Sequence, residues 1–200
     1  MLNPLNSIKG TLITGFILAV IVMFLIKMGL VAPNWMTVLR WLHIIAGITW
    51  IGLLYYFNFV QTPALAKAAA DQGGPGGAGI SKYVAPLALL WFRWSALITW
   101  LLGFSYLASN RQLGAFLLGF ASSPMNLYQF IIGMGAWFGT IMLFNVWVLI
   151  WPNQKKILGI VSATDEQKAK ARKVAFLASR TNVVLSIPML LCMAAAGHGL

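Results

Sequence analysis

His43 stands inside WLHIIAGITWIGLLYYFNFVQTPAL (residues 41–65), and His198 closes ASRTNVVLSIPMLLCMAAAGH (178–198); the chain has no other histidine. Both segments are apolar enough to lie in hydrocarbon, where an ionisable side chain is costly and is a functional candidate by default. An imidazole can bind a metal or carry a proton near neutral pH. Gly47 and Ala194, one helical turn from the two rings, leave room beside each for something flat. Arg40, one turn before His43, is placed to meet an anionic group. A second set has different chemistry. Arg93, Asn145, Arg180 and Asn182 offer cations and hydrogen bonds, the means of holding an anion. The three acids, Asp71, Asp165 and Glu166, all fall in polar stretches between the apolar runs, so the two arginines have no carboxylate in their own runs.

These side chains must be held by membrane helices. The 200 residues are 60% hydrophobic and 8% charged, whereas a soluble domain carries about 25% charged residues. Five apolar stretches, roughly 11–32, 37–60, 86–108, 126–151 and 174–198, meet the length of about 20 residues that a spanning helix needs. The expected fold is therefore all-α, a polytopic bundle of five transmembrane helices. The first stretch follows Lys9 as a signal peptide would, but no small-x-small cleavage site follows it, so it reads as a retained anchor. The chain divides into an extra N-terminal anchor helix, 1–35, and a membrane domain, 36–200. The formal charge of +11 does not indicate nucleic-acid binding. Nine of the fourteen basic residues lie in segments 67–93 and 155–173, which flank apolar runs. The single cysteine, Cys192, excludes an internal disulfide.

The basic loops predict orientation in the membrane. Lys155, Lys156, Lys168, Lys170, Arg172 and Lys173 between spans four and five face the cytoplasm by the positive-inside rule, as do Lys67 and Lys82 between spans two and three. The N-terminus is then inside and the C-terminus outside. On that reading His43 and His198 share a depth near the outer face. Arg93, Asn145, Arg180 and Asn182 share one about two turns in from the cytoplasm, with Asn58 and Gln61 at or below it. DQGGPGGAGISK (71–82) reads as a linker. LGAFLLGFASSP (113–124) is apolar but too short to cross, so it is re-entrant or interfacial. Plainer roles stay open: arginines snorkelling to lipid phosphates, asparagines as interhelical glue, and His43 as a neutral imidazole bonded to a backbone carbonyl.

Four segments carry a family resemblance: the two quoted above, APLALLWFRWSALITWLLG (85–103) and FNVWVLIWPNQKKILG (144–159). In this order they resemble the N-terminal membrane domain of bacterial membrane urate oxidases, over residues 36–198. In longer members that domain precedes a cytochrome c module. This chain departs from that pattern: it is shorter and holds no CxxCH haem-attachment motif. The WLHIIAGITWIGLLYY pattern is also similar, more loosely, to the first motif of HemJ-type membrane proteins, which are associated with haem b. The resemblance implies a redox or electron-transfer protein holding haem b near the outer face. His43 and His198 would ligate the iron, Arg40 would stand near a propionate, and electrons would pass to a separate cytochrome c-like carrier. Bis-histidine ligation suits electron transfer because both axial positions are closed. Two other readings stand beside it. One is an accessory subunit completed by other membrane subunits. The other is an anion-binding or transport protein that uses Arg93, Asn145, Arg180, Thr181 and Asn182 for a urate-like substrate.

Overall fold

A computed structural model describes residues 4–29 and 34–198, except the side chains of residues 26–29 and 198. The described residues are helical with no strand, and five helices are long and apolar enough to cross a membrane. We number them α1 (Ile8–Gly29), α2 (Trp35–Ala70), α3 (Ile80–Ser109), α4 (Leu127–Ile157) and α5 (Asp165–His198). The helices outrun the apolar stretches because hydropathy registers only the hydrocarbon section. The polar turns of α2 and α4, and the first turns of α5, continue the same helices beyond it.

The chain separates into two units, Met1–Val38 and Leu39–Leu200. In the first, Ser7 opens α1: its Oγ accepts from the Gly10 N–H at 3.0 Å, satisfying one of the orphan donors of the first turn. Asn34 does the same for α2, its Oδ1 accepting from the Thr37 N–H at 3.0 Å.

The second unit is a helix bundle with α4 and α5 as its most extensive helix pair. Small residues permit that approach. A Cβ on Gly135 would stand 3.0 Å from Cys192 Cβ and 3.1 Å from Met193 Cε, so α5 packs directly on the α4 backbone there. Around this pair Trp50, Leu54, Phe92, Ala96, Met142, Val146 and Met189 form the buried core. The apolar 113–124 stretch is a 3-10 turn, Leu113–Leu117, folded back on α4. Its Ala115 carbonyl would meet a Cβ on Gly133 at 2.0 Å, so only glycine admits the turn at that point. Leu117 and Phe120 stay exposed.

Three of these helices contain a π segment: Tyr56–Gln61 in α2, Ile80–Val84 in α3 and Asn145–Ile150 in α4. Each ends two residues before a proline, Pro63, Pro86 or Pro152. Proline lacks an N–H and its ring collides with the carbonyl four residues back. Those carbonyls belong to Phe59, Lys82 and Val148, all inside the π segments. Widening the turn by one residue relieves the collision without ending the helix. All three segments lie toward the end of the bundle where the 71–79 loop joins α2 to α3.

Candidate functional site

His43 packs against α3. Its Nδ1 lies 2.8 Å from the Thr99 carbonyl oxygen, which can only accept, so Nδ1 carries the proton. In the neutral ring Nε2 is then the free lone pair, and it has no hydrogen-bond partner among the described residues. The ring lies on bare backbone: a Cβ on Gly103 would stand 2.9 Å from Cε1 and 3.0 Å from Nδ1. A Cβ on Gly47 would meet Thr99 Cγ2 at an ordinary 3.7 Å. Thr99 is held in turn, its Oγ1 donating to the Ser95 carbonyl at 2.6 Å. Trp50 and Leu54, on the same α2 face as His43 and Gly47, are core residues, so that face is the bundle-facing one.

Arg40 donates through Nη2 to the Tyr106 hydroxyl, and its guanidinium carbon lies 5.1 Å from the Tyr106 ring centroid. Arg40 and His43 of α2 thus meet Tyr106, Gly103 and Thr99 of α3, two descending turns against two ascending ones. Next to them Trp100 stacks on Phe104 at 5.4 Å, and the Trp100 Nε1–H donates to Thr140 Oγ1 on α4 at 2.9 Å.

His198 ends α5, and its imidazole lies outside the described residues. The register of α5 on α2 is nonetheless set by two contacts. The Tyr55 hydroxyl lies 3.0 Å from Ser186 Oγ, and Asn58 Nδ2 donates to Ser179 Oγ at 2.8 Å. The helices run antiparallel. His43 is twelve residues before Tyr55 and His198 twelve residues after Ser186. At 1.5 Å per residue each lies about 18 Å from that contact in the same direction, so the two backbones reach one level.

The other polar residues divide into distinct arrangements. Asn145 and Asn182 are buried and pair: Asn145 Nδ2 donates to Asn182 Oδ1 at 2.8 Å, and Asn182 Nδ2 donates to the Met142 carbonyl at 3.0 Å. Arg180 and Thr181 lie on the exposed side of that turn. The Arg180 guanidinium is 5.2 Å from the Phe176 ring, and Thr181 Oγ1 donates to the Leu177 carbonyl at 3.0 Å. Arg93, half-buried on α3, crosses to α4, where its guanidinium carbon lies 3.9 Å from the Trp151 ring centroid. Asn58 spends its amide on the Leu54 carbonyl and Ser179, while Gln61 Oε1 is buried without a partner among the described residues.

Two family-model matches, described as urate oxidase N-terminal, cover residues 29–129 and 127–200. The chain belongs to the urate oxidase N-terminal family. The matched range takes in all of the second unit, including both histidines and the Arg/Asn residues. The looser likeness to HemJ-type proteins has no counterpart among the matches. No curated protein and no solved structure matches the chain. Within this urate oxidase N-terminal domain, Thr99, Gly103, Tyr106, Ser179 and Trp151 escape sequence reasoning as site residues. Gly103 carried a usable signal, a glycine one turn beyond a threonine in an apolar run. The Thr99 partner did not, because it is a main-chain carbonyl that every residue possesses.

Proposed function

We propose that this urate oxidase N-terminal domain is a membrane redox module that holds haem b at the His43 level, with His43 as one iron ligand. The observation that carries this is the Nδ1–H bond to the Thr99 carbonyl. A ligating histidine commonly donates its other ring N–H to a fixed acceptor, which sets the tautomer and ring orientation. Here that acceptor is supplied and Nε2 is left free. The glycine at 103 fits the same role by letting the ring lie against the α3 backbone.

Haem b, when bound, supplies one-electron chemistry at its iron. The chain's own residues do the positioning. Thr99 and Gly103 fix the His43 ring. His198 reaches the same level from α5 and is the proposed second ligand. Arg40, tethered by Tyr106, presents positive charge one turn toward the helix end, where a propionate would lie. Electrons would leave to a separate carrier of the cytochrome c kind near the periplasmic face of a bacterial inner membrane.

The test is a reduced-minus-oxidised spectrum of protein purified after haem-replete expression. A Soret band that shifts with dithionite is expected, and His43→Ala should lose it while still eluting as a monodisperse species. Wild-type protein without haem absorbance would end the proposal.

A further inference from the structure

Arg93 and Lys155 converge on one indole. The Arg93 guanidinium carbon lies 3.9 Å, and the Lys155 ammonium 5.9 Å, from the Trp151 ring centroid. The two cations are therefore less than about 10 Å apart on different helices, by those two distances to a common point. Neither has a hydrogen-bond or carboxylate partner among the described residues, where the one ion pair is Lys168 with Asp165. Cation–π contact holds the heads in place but does not offset their mutual repulsion.

The surface beside them is apolar and concave. A groove of about 360 Å³ between α3 and α4 is lined by Leu97, Trp100, Thr140, Leu143, Phe144 and Trp147. Leu97 is one turn beyond Arg93 on α3, and Trp147 one turn before Trp151 on α4. Trp94 closes edge-on against Trp147, with centroids 5.4 Å apart, at the junction. The two cations, Lys155 near the end of α4 and Arg93 midway along α3, thus border directly on an apolar channel that runs away from the end of α4.

We propose that this is a binding site for an anionic phospholipid, with the headgroup phosphate between Arg93 and Lys155 and one acyl chain along the groove. Charge complementarity selects the phosphate, and the continuity of groove and cation pair selects a ligand with both a charged head and a hydrocarbon tail. A free anion would leave the groove unused. A neutral apolar ligand would leave the cations unmet. His43 lines no part of this groove, although Trp100 and Thr140 at its far end stand beside the His43 level.

Native mass spectrometry of the full chain, titrated with phosphatidylglycerol, phosphatidylcholine or inorganic phosphate, tests the inference. Phosphatidylglycerol should be retained in preference to phosphatidylcholine. Arg93→Gln with Lys155→Gln should weaken it about tenfold or more, the loss expected for charge-assisted hydrogen bonds. Lys168→Gln with Lys170→Gln removes the same charge elsewhere and should leave retention unchanged. Leu97→Trp fills the groove with both cations intact, so it keeps the test decisive if the double variant fails to fold, and it too should weaken the lipid. Equal retention of the two lipids, indifference to Leu97→Trp, or displacement by millimolar phosphate would each overturn the proposal.

Discussion

Asn145 of α4 donates its amide to the side-chain oxygen of Asn182 of α5 at 2.8 Å, and Asn182 is wholly buried. Asn182 passes the bond on to the Met142 carbonyl, so one amide clamps two turns of the neighbouring helix. In a membrane, helices gain little from burying apolar surface against each other, and such bonds and close packing hold them together. Asn182→Leu should therefore destabilise the fold by about 1–2 kcal/mol in unfolding titrations in mixed micelles, two interhelical bonds being lost. Adding Asn145→Leu should recover part of that loss, since a buried donor without an acceptor costs more than no donor. A double variant less stable than the single one would contradict this account.

The glycines beside His43 should respond in opposite ways. Gly103→Ala places a methyl 2.9 Å from the imidazole and must move the ring off the Thr99 carbonyl. Gly47→Ala meets only Thr99 Cγ2 at 3.7 Å. Haem content per mole of purified protein should fall steeply for Gly103→Ala and stay near wild type for Gly47→Ala. Equal behaviour of the two would remove the ring's seat as the reason for glycine at 103.

The register of α2 on α5 can be trapped. Asn58→Cys with Ser179→Cys, in a Cys192→Ser background, should be joined by a short bifunctional thiol cross-linker, because the native side chains meet at 2.8 Å. Phe59→Cys with Ser179→Cys should not, Phe59 being turned outward and exposed. A shift in mobility on non-reducing gels reads the result. Cross-linking of the control pair alone would refute the register that brings His43 and His198 to one level.

A π segment is in effect a one-residue insertion in an α-helix. Deleting Val148, within Asn145–Ile150, in a Pro152→Ala background should restore α geometry locally and leave both flanks in register, since the ring that would collide in an α turn is then absent. Deleting Ile141, in the regular part of α4, rotates everything beyond it by about 100°, one residue's share of a turn. Membrane-inserted, monodisperse protein is expected from the first deletion and not from the second. The comparison is made by fluorescence-detected size exclusion.

The five spans were legible in the sequence because hydrocarbon thickness imposes a length on apolar runs, and each of the five stretches overlaps a helix long and apolar enough to cross, residues 30–32 of the first lying outside the described residues. Depth was legible too: Asn145 and Asn182 sit at one level and meet. Their role was legible as well, since interhelical hydrogen-bond glue is one of the roles read for these asparagines; the π turn that begins at Asn145 was not. The signal was present as Pro63, Pro86 and Pro152, each two residues after an apolar or amide-bearing stretch that ends in a widened turn. For Arg93 the sequence offered the lack of an acid. The partner it found, Trp151, lies fifty-eight positions away on another helix and is one tryptophan among nine. For His43 a bond to a backbone carbonyl was among the plainer roles read from the sequence, and Thr99 supplies that carbonyl; which residue it would belong to is not a matter composition can show.

The three widened turns also divide the bundle mechanically. Around His43 the turns of α2, α3 and α4 are unbroken α-helix, tied across by Arg40–Tyr106, His43–Thr99 and Trp100–Thr140. At the opposite end each of the same three helices carries a segment with poorer hydrogen-bond geometry and a carbonyl that proline cannot serve. The backbone ladder is therefore weaker at that end, and side-chain bonds across the helices, Asn58–Ser179 and Asn145–Asn182, tie it instead. The two ends of the bundle are held by different means, regular backbone at the His43 level and interhelical amides at the other.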